Sequence, residues 1–115
     1  MTYATLVGAL ILTSPLNLQA AGQSRTALAG LDPEIRQIVD STMQIVLETH
    51  ISGRGRQWSS PKYGLSGRLT PMRTWRSQSG HFCREFLEIV RLPSGSERIG
   101  KGRACRNAAG EWIRT

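Results

Sequence analysis

The hydrophobic pattern of the chain changes its period near residue 50. Before that point apolar residues recur three or four positions apart, which is the spacing of one face of a helix. Asp32, Pro33 and Glu34 form a helix start, with an N-cap acceptor, a proline at the first helical position and an acid near the positive end of the helix dipole. The pattern therefore predicts one amphipathic helix over residues 32–49, whose apolar stripe faces the core of its own domain.

After the helix the chain consists of short segments rich in aromatic and β-branched residues, separated by Gly, Pro, Ser and Asn. This pattern is typical of β-strands joined by turns, and Pro71 within one of the segments predicts an edge position or a bulge. We therefore predict an α+β fold in which the helix precedes a small antiparallel sheet, a meander of four to five strands. The predicted strands cover residues 57–59, 66–76, 81–92, 96–106 and 111–114.

The chain contains two cysteines, Cys83 and Cys105, which lie on the two strands of the clearest predicted hairpin. A two-residue loop at residues 94–95 would place Arg84 opposite Cys105, and a bulge or a longer loop would bring the two cysteines together instead. An even cysteine count in an exported small domain favours a disulfide, which would stabilise this domain by roughly 3 kcal/mol. Two free thiols in a cytoplasmic protein are the alternative.

The N-terminal segment has the layout of a secretory signal peptide. Residues 1–21 carry no charge and combine a short apolar run with Pro15 and a pair of small residues. The run is shorter than the roughly 20 apolar residues that a spanning helix needs, although a retained membrane anchor is the alternative. We predict a signal peptide at 1–21, a flexible leader at 22–31 and one domain at 32–115. Export would place the protein in the periplasm, in the outer membrane or at the cell surface.

Positive charge is concentrated in the second half of the chain. The whole chain has a net charge of +7, but residues 50–115 hold 13 lysines and arginines against four glutamates, a net charge of +9. In the envelope this charge would attract lipopolysaccharide, an acidic glycan or an acidic protein and would allow peripheral contact with a membrane. An exported protein rarely meets nucleic acid, so we expect no nucleic-acid partner; a solvated basic face that serves solubility is the alternative. The predicted anion-binding face comprises Arg54, Arg56, Arg68, Arg73, Arg103 and Arg106.

The sequence offers little material for catalysis. Glu85 and Glu88 lie three residues apart on one predicted strand and therefore on opposite faces, which disfavours a two-carboxylate hydrolase site. His50 and His81 lack the paired spacing of metal ligands and fall near the ends of predicted elements. We therefore expect a protein that is not an enzyme and that holds neither a cofactor nor a metal.

Several short motifs occur in a characteristic order. They are Leu47-Glu-Thr49, Gly53, Trp58, Ser60-Pro61, Leu69-Thr-Pro-Met-Arg-Thr-Trp75, His81-Phe-Cys-Arg-Glu-Phe86, Gly102, Ala104-Cys-Arg106 and Gly110-Glu-Trp112. Together they resemble the C-terminal domain of the rickettsial-type 17 kDa surface antigens, an outer-membrane antigen family, over residues 30–115. The resemblance implies an envelope location, a small β-rich domain with a helix ahead of it, and no enzymatic activity.

Two features of that family are missing before the domain. Its members commonly carry a lipobox cysteine and a glycine-rich zipper, whereas residues 22–31 contain two glycines and no cysteine. The resulting prediction is a non-enzymatic surface-antigen-like protein of the cell envelope with a structural or binding role. The alternative is a periplasmic inhibitor of a hydrolase such as lysozyme, because small disulfide-bonded β-domains serve in that way.

Overall fold

The fold is one helix followed by a five-stranded antiparallel sheet. A computed structural model describes residues 27–115, and the sheet has the strand order β1-β2-β3-β4-β5, so that each strand pairs with its neighbours in sequence. This confirms the predicted α+β fold with a meander. The predicted signal peptide, 1–21, and residues 22–26 of the predicted leader lie outside the described residues. The elements are α1 (Pro33–Thr49), β1 (Arg56–Ser60), β2 (Leu65–Arg76), β3 (Phe82–Arg91), β4 (Glu97–Arg106) and β5 (Trp112–Arg114).

Helix α1 begins and ends where local signals place it. The Asp32 side chain accepts a hydrogen bond of 2.8 Å from the Glu34 backbone N–H, which satisfies one of the unpaired donors of the first turn. At the other end the His50 N–H donates to the Val46 carbonyl, and the backbone of His50 is extended. The buried face of α1 is made of Ile35, Val39, Thr42, Met43, Val46 and Leu47.

The core lies between α1 and one face of the sheet. Phe86, at the centre of β3, has no exposed surface, and Trp58 and Trp112 are buried near the two edges of the sheet. These apolar side chains sit on alternating strand positions, so they all point toward the helix. The burial of this single layer of contacts is the main source of the stability of the domain.

The packed part of the chain begins before the helix. Ala27 and Leu28 are buried in the core cluster, and the Ala29 carbonyl accepts a hydrogen bond of 2.7 Å from the Arg98 side chain. Residues 27–31 of the predicted leader thus lie against the domain, whereas the sequence pattern placed its start at Asp32. The apolar side chains of this short segment have no period, so only the surrounding core shows that they are buried.

The β3–β4 hairpin sets the register of the disulfide. The Leu92 N–H donates to the Ser96 carbonyl, which leaves a three-residue loop that ends in Gly95 with φ of +94°. The third loop residue shifts the pairing by one position, so that Cys83 lies opposite Cys105 and the two form a disulfide with a Cα–Cα distance of 4.0 Å. Of the two loop lengths considered, the longer one is therefore the one that forms, and Arg84 lies opposite Ala104.

Pro71 lies at a bulge, one of its two predicted settings. The register of β2 against β3 shifts between Pro71 and Thr74, while β2 itself lies inside the sheet. Strand β1 pairs with residues 65–69 only, and the Pro71 carbonyl accepts a hydrogen bond from the Gly53 N–H instead. The bulge thus occurs where β2 has no neighbouring strand on its second side.

Candidate ligand-binding face

The sheet has one covered face and one open face. Side chains alternate along each strand, so the residues between the buried ones point away from α1. We call this surface the open face; among residues 27–115, no helix lies over it. Its principal side chains are Arg68, Arg73 and Trp75 on β2, Glu85, Leu87, Ile89 and Arg91 on β3, Glu97, Ile99, Lys101 and Arg103 on β4, and Ile113 on β5.

The charge of the open face is strongly unbalanced. It carries five cations against two carboxylates, Glu85 and Glu97, and of the five only Arg91 is in a described ion pair, with Glu97 at 2.6 Å. Glu85 lies opposite Arg103 in the register, yet the described part of the chain shows no ion pair for either residue. Arg73 stacks its guanidinium over the Trp75 ring at 4.5 Å from the ring centroid, which orients the cation without neutralising it. The open face can therefore bind an anion without first breaking an internal salt bridge.

Apolar side chains accompany these cations. Ile99 is 66% exposed and Ile113 is 50% exposed, while Leu87 and Ile89 are half-buried between them. Isolated exposed apolar residues are ordinary on protein surfaces, but here they share one sheet face with unpaired cations. Such a surface suits a ligand that has both a negative group and an apolar part.

The structure divides the six arginines of the predicted anion-binding face. Three of them, Arg68, Arg73 and Arg103, lie together on the open face. Arg56 shares the strand parity of buried Trp58 and so points toward the helix side at the sheet edge, and Arg54 lies in the loop before β1. The six residues do not form one surface, because their common side depends on strand registry that charge spacing alone does not define.

Arg106 also belongs to the helix side. Its guanidinium donates to the Glu48 carboxylate at 2.9 Å, and the same carboxylate oxygen accepts a hydrogen bond of 2.9 Å from the Trp112 ring N–H. The hydrogen bond from Arg106, followed by that from Trp112, lowers the pKa of Glu48 below its usual 4.5. Arg106 is therefore a structural residue that ties β4 to the end of α1.

Lys101 is an unpaired cation of the open face that the predicted set did not include; Arg91, also outside that set, is paired with Glu97. It lies on β4 two residues before Arg103, so strand alternation places both side chains on the same face. The signal was present in the sequence as the spacing of Lys101 and Arg103. It is recognised only when side-chain direction is considered together with charge.

A buried ion pair lies on the helix side of β3 and β4. The Glu88 side chain is almost fully buried and accepts two hydrogen bonds from the Arg114 guanidinium, at 2.5 and 3.2 Å. Gly102 makes this contact possible: a Cβ added there would lie 2.6 Å from two atoms of the Phe86 ring and 3.4 Å from an Arg114 nitrogen. The pair is a bidentate contact of the kind that holds β5 in place.

A second buried cation, Arg84, closes the C-terminal end of the helix. It donates to the Leu47 carbonyl at 2.9 Å, to the His50 carbonyl at 2.8 Å and to the Thr74 hydroxyl at 2.9 Å. Burial lowers the pKa of Arg84, because the guanidinium loses solvation there. Arg84 on β3 thus supplies hydrogen-bond donors to carbonyls at the end of α1, and its role is structural.

The residues weighed for catalysis remain apart. Glu85 points to the open face and Glu88 to the helix side. His81 lies in the turn before β3, where its backbone N–H donates a hydrogen bond to the Ser77 hydroxyl. Across residues 27–115, no group of three or more His, Cys, Asp or Glu side chains is arranged to hold a metal ion. Within the same range, none of the helical segments is both long and apolar enough to cross a membrane.

Comparison with known proteins gives one consistent result. A family model described as 17 kDa outer membrane surface antigen matches residues 45–113. The 17 kDa surface antigens of Rickettsia japonica and Rickettsia conorii are each 37% identical to this chain, over 73% and 72% of its length and 52% of their own. That of Rickettsia bellii is 34% identical over 73% of the chain and 52% of its own length. The chain spans about half the length of these curated relatives, and no solved structure matches it.

Proposed function

Because the chain belongs to the 17 kDa outer membrane surface antigen family, we propose that it is a non-enzymatic cell-envelope protein that binds a phosphate-bearing lipid. The proposal places the binding site on the open face of the sheet and the protein in the periplasm or at the outer membrane. Lipopolysaccharide and anionic phospholipids share the required chemistry, a phosphate attached to an apolar anchor.

The observation that carries this proposal is the set of unpaired cations on the open face. Arg68, Arg73, Lys101 and Arg103 share the open face with Glu85 and with the Arg91–Glu97 ion pair, and no described ion pair neutralises these four cations. Arginine donates to phosphate oxygens in a planar fork and is well suited to this ligand class. Ile99 and Ile113 beside these cations would contact the apolar part of the lipid.

Vesicle binding of the full chain tests the proposal. We expect binding to vesicles that contain phosphatidylglycerol and to lipopolysaccharide dispersions, and none to pure phosphatidylcholine. Each cation near an anionic surface contributes about 1 kcal/mol, so the double variant Arg68→Gln/Arg73→Gln should bind about 30-fold more weakly. The matched control Arg54→Gln/Arg56→Gln removes the same charge away from the open face and should change binding far less.

The outcome identifies the ligand source or rejects the site. Binding to lipopolysaccharide alone or to phosphatidylglycerol alone would assign the source of the phosphate, and added salt should weaken either one by screening. Equal losses in the two double variants would mean that only net charge matters, which would overturn the open-face site. Inhibition of lysozyme at a stoichiometric amount of protein would instead favour the inhibitor alternative.

A further inference from the structure

One half of β4 has an unpaired edge. Strand β5 pairs with β4 at residues 104–106, and Thr115 adds one bond to the Arg103 carbonyl. Residues 97–102 pair with β3 on their other side, and the described residues place no strand beside their outer edge. An exposed strand edge presents backbone donors and acceptors that another strand can join.

The direction of the backbone groups along this edge follows from two hydrogen bonds. The Thr115 N–H donates to the Arg103 carbonyl, so the backbone of Arg103 points away from β3, and the Leu92 N–H donates to Ser96, whose backbone points toward β3. Backbone groups alternate in direction along an antiparallel strand. The N–H and C=O groups of Ile99 and Lys101 therefore point out of the sheet into the open edge.

A groove of about 690 Å³ follows the same edge. It is lined on the helix side by Arg36 and Asp40 of α1 and by Gly102, and on the open face by Lys101 and Arg103. Gly102 lines the groove, and the Phe86 ring and an Arg114 nitrogen lie over its backbone on the helix side. Side chains of an added strand would enter this space on one side and lie on the open face on the other.

The charge around the edge selects the kind of strand. Arg36, Arg98, Lys101 and Arg103 have no carboxylate partner among the described ion pairs, while Arg114 is already paired with Glu88. The unpaired acids beside them are Asp40 and Glu85. A second copy would bring the same cations against one another, which opposes self-pairing. An acidic segment would meet complementary charge on both sides of the edge.

We propose that the open edge of β4, residues 97–102, binds an extended acidic segment of a partner protein by strand addition. The segment pairs with the outward backbone groups of Ile99 and Lys101, and its acidic side chains meet Arg36 in the groove and Arg103 on the open face. Backbone pairing supplies affinity and the charges supply specificity, as in other cases of strand addition. This site shares Ile99, Lys101 and Arg103 with the open face, but Arg68 and Arg73, through which the phosphate site is tested, take no part in it.

Amide hydrogen exchange of the full chain, read residue by residue by NMR, tests the edge directly. In the free protein the amides of Ile99 and Lys101 should exchange fast, while those of Arg98 and Gly100, which point to β3, should be protected. A synthetic peptide of the repeat Glu-Glu-Val-Val, which places glutamate on both faces of an added strand, should protect Ile99 and Lys101 at least tenfold. The same peptide with lysine in place of glutamate should leave the exchange of both amides unchanged.

Two pairs of variants separate backbone pairing from charge. Ile99→Pro removes one outward N–H and leaves the bonds to β3 in place, so it should abolish protection by the acidic peptide, whereas Ile99→Val should not. Arg36→Glu, on the helix side of the groove, should weaken the peptide about tenfold, and Asp40→Lys should strengthen it by a similar factor. The Arg36 and Asp40 variants stay informative even if the proline variant does not fold.

Several results would overturn the proposal. Slow exchange of Ile99 and Lys101 in the free protein would mean that residues 1–26 or a second copy already cover the edge. Equal binding of the acidic and basic peptides would remove the charge argument, and binding that Arg36→Glu does not weaken would place the peptide elsewhere. The Arg68→Gln/Arg73→Gln variant should keep its peptide affinity within about threefold, so failure here and failure of the lipid proposal are distinguishable.

Discussion

Replacing Arg84 by methionine should be among the most damaging single changes in this domain. Arg84 is 8% exposed and supplies donors to the carbonyls of Leu47 and His50, two acceptors at the C-terminal end of α1. Methionine fills a similar volume but donates no hydrogen bond. The two carbonyls would then lie at a largely closed site without their partners.

The size of the effect follows from those acceptors. A buried acceptor that loses its partner costs about 1–3 kcal/mol, so two of them cost about 2–6 kcal/mol. Methionine recovers part of this, because the desolvation that lowers the pKa of Arg84 disappears with the charge. We expect a net loss of about 3 kcal/mol, which is a large share of the stability of a small domain.

Urea unfolding without reductant, followed by tryptophan fluorescence, measures this loss. A loss of about 3 kcal/mol lowers the unfolding midpoint by about 2 to 3 M for a domain of this size. Arg98→Met is the matched control, because Arg98 is exposed and donates one bond, to the Ala29 carbonyl, and it should cost under about 1 kcal/mol. Arg84→Lys should fall between the two, since it keeps the charge and loses the planar fork.

A loss below about 1 kcal/mol in Arg84→Met, with an unchanged denaturant slope, would refute this reasoning. It would mean that water reaches the carbonyls of Leu47 and His50 and replaces the guanidinium. A loss of stability equal to that of Arg98→Met would lead to the same conclusion. The helix end would then be stabilised by packing alone.

Two further predictions concern the helix side of the sheet. Gly102→Ala should destabilise the domain by about 1–3 kcal/mol in urea unfolding, because its Cβ would lie 2.6 Å from the buried Phe86 ring. Phe86→Leu should cost less stability in the Gly102→Ala protein than in the wild type. Strictly additive losses would contradict the steric cause. The lowered pKa of Glu48 predicts a contribution to stability that is fully present above about pH 4.5 and is lost as the pH falls through the folded-state pKa. Glu48→Gln should remove that contribution, which is under about 1 kcal/mol because Glu48 is half exposed. The free energies of unfolding of wild type and variant at pH 6, 4.5 and 3 measure it; the same change with pH in both proteins would mean that the interaction with Arg106 contributes nothing.

The sequence determined the elements of this fold closely because their signals are local. The N-cap at Asp32 and the apolar spacing after it predicted α1, and the aromatic and β-branched segments predicted five strands to within one or two residues at each end. Pro71 indicated either an edge position or a bulge, since proline cannot continue a regular ladder, and the bulge is what forms. The cysteine pair indicated the hairpin but not the length of its loop.

The tertiary structure decided which side chains share a surface. Whether Arg106 joins Arg103 on one face depends on strand parity, and its partner Glu48 lies 58 residues earlier, on the helix. The burial of Arg84 and of the Glu88–Arg114 pair depends in the same way on where α1 and β5 pack. The number and spacing of charges in the sequence do not show which of these residues meet in the fold.

By itself the sequence thus determined the family, the α+β fold and the order of its elements, because periodicity, caps and the string of motifs are properties of neighbouring residues. The tertiary structure alone decided that three of six predicted arginines lie on the open face with Lys101, and that residues 97–102 of β4 have an unpaired edge. Both features arise from strand register and from the shortness of β5. Apart from the β3–β4 hairpin, which its turn and its two cysteines indicated, strand register depends on contacts between residues that lie far apart in the chain, and local patterns do not encode it.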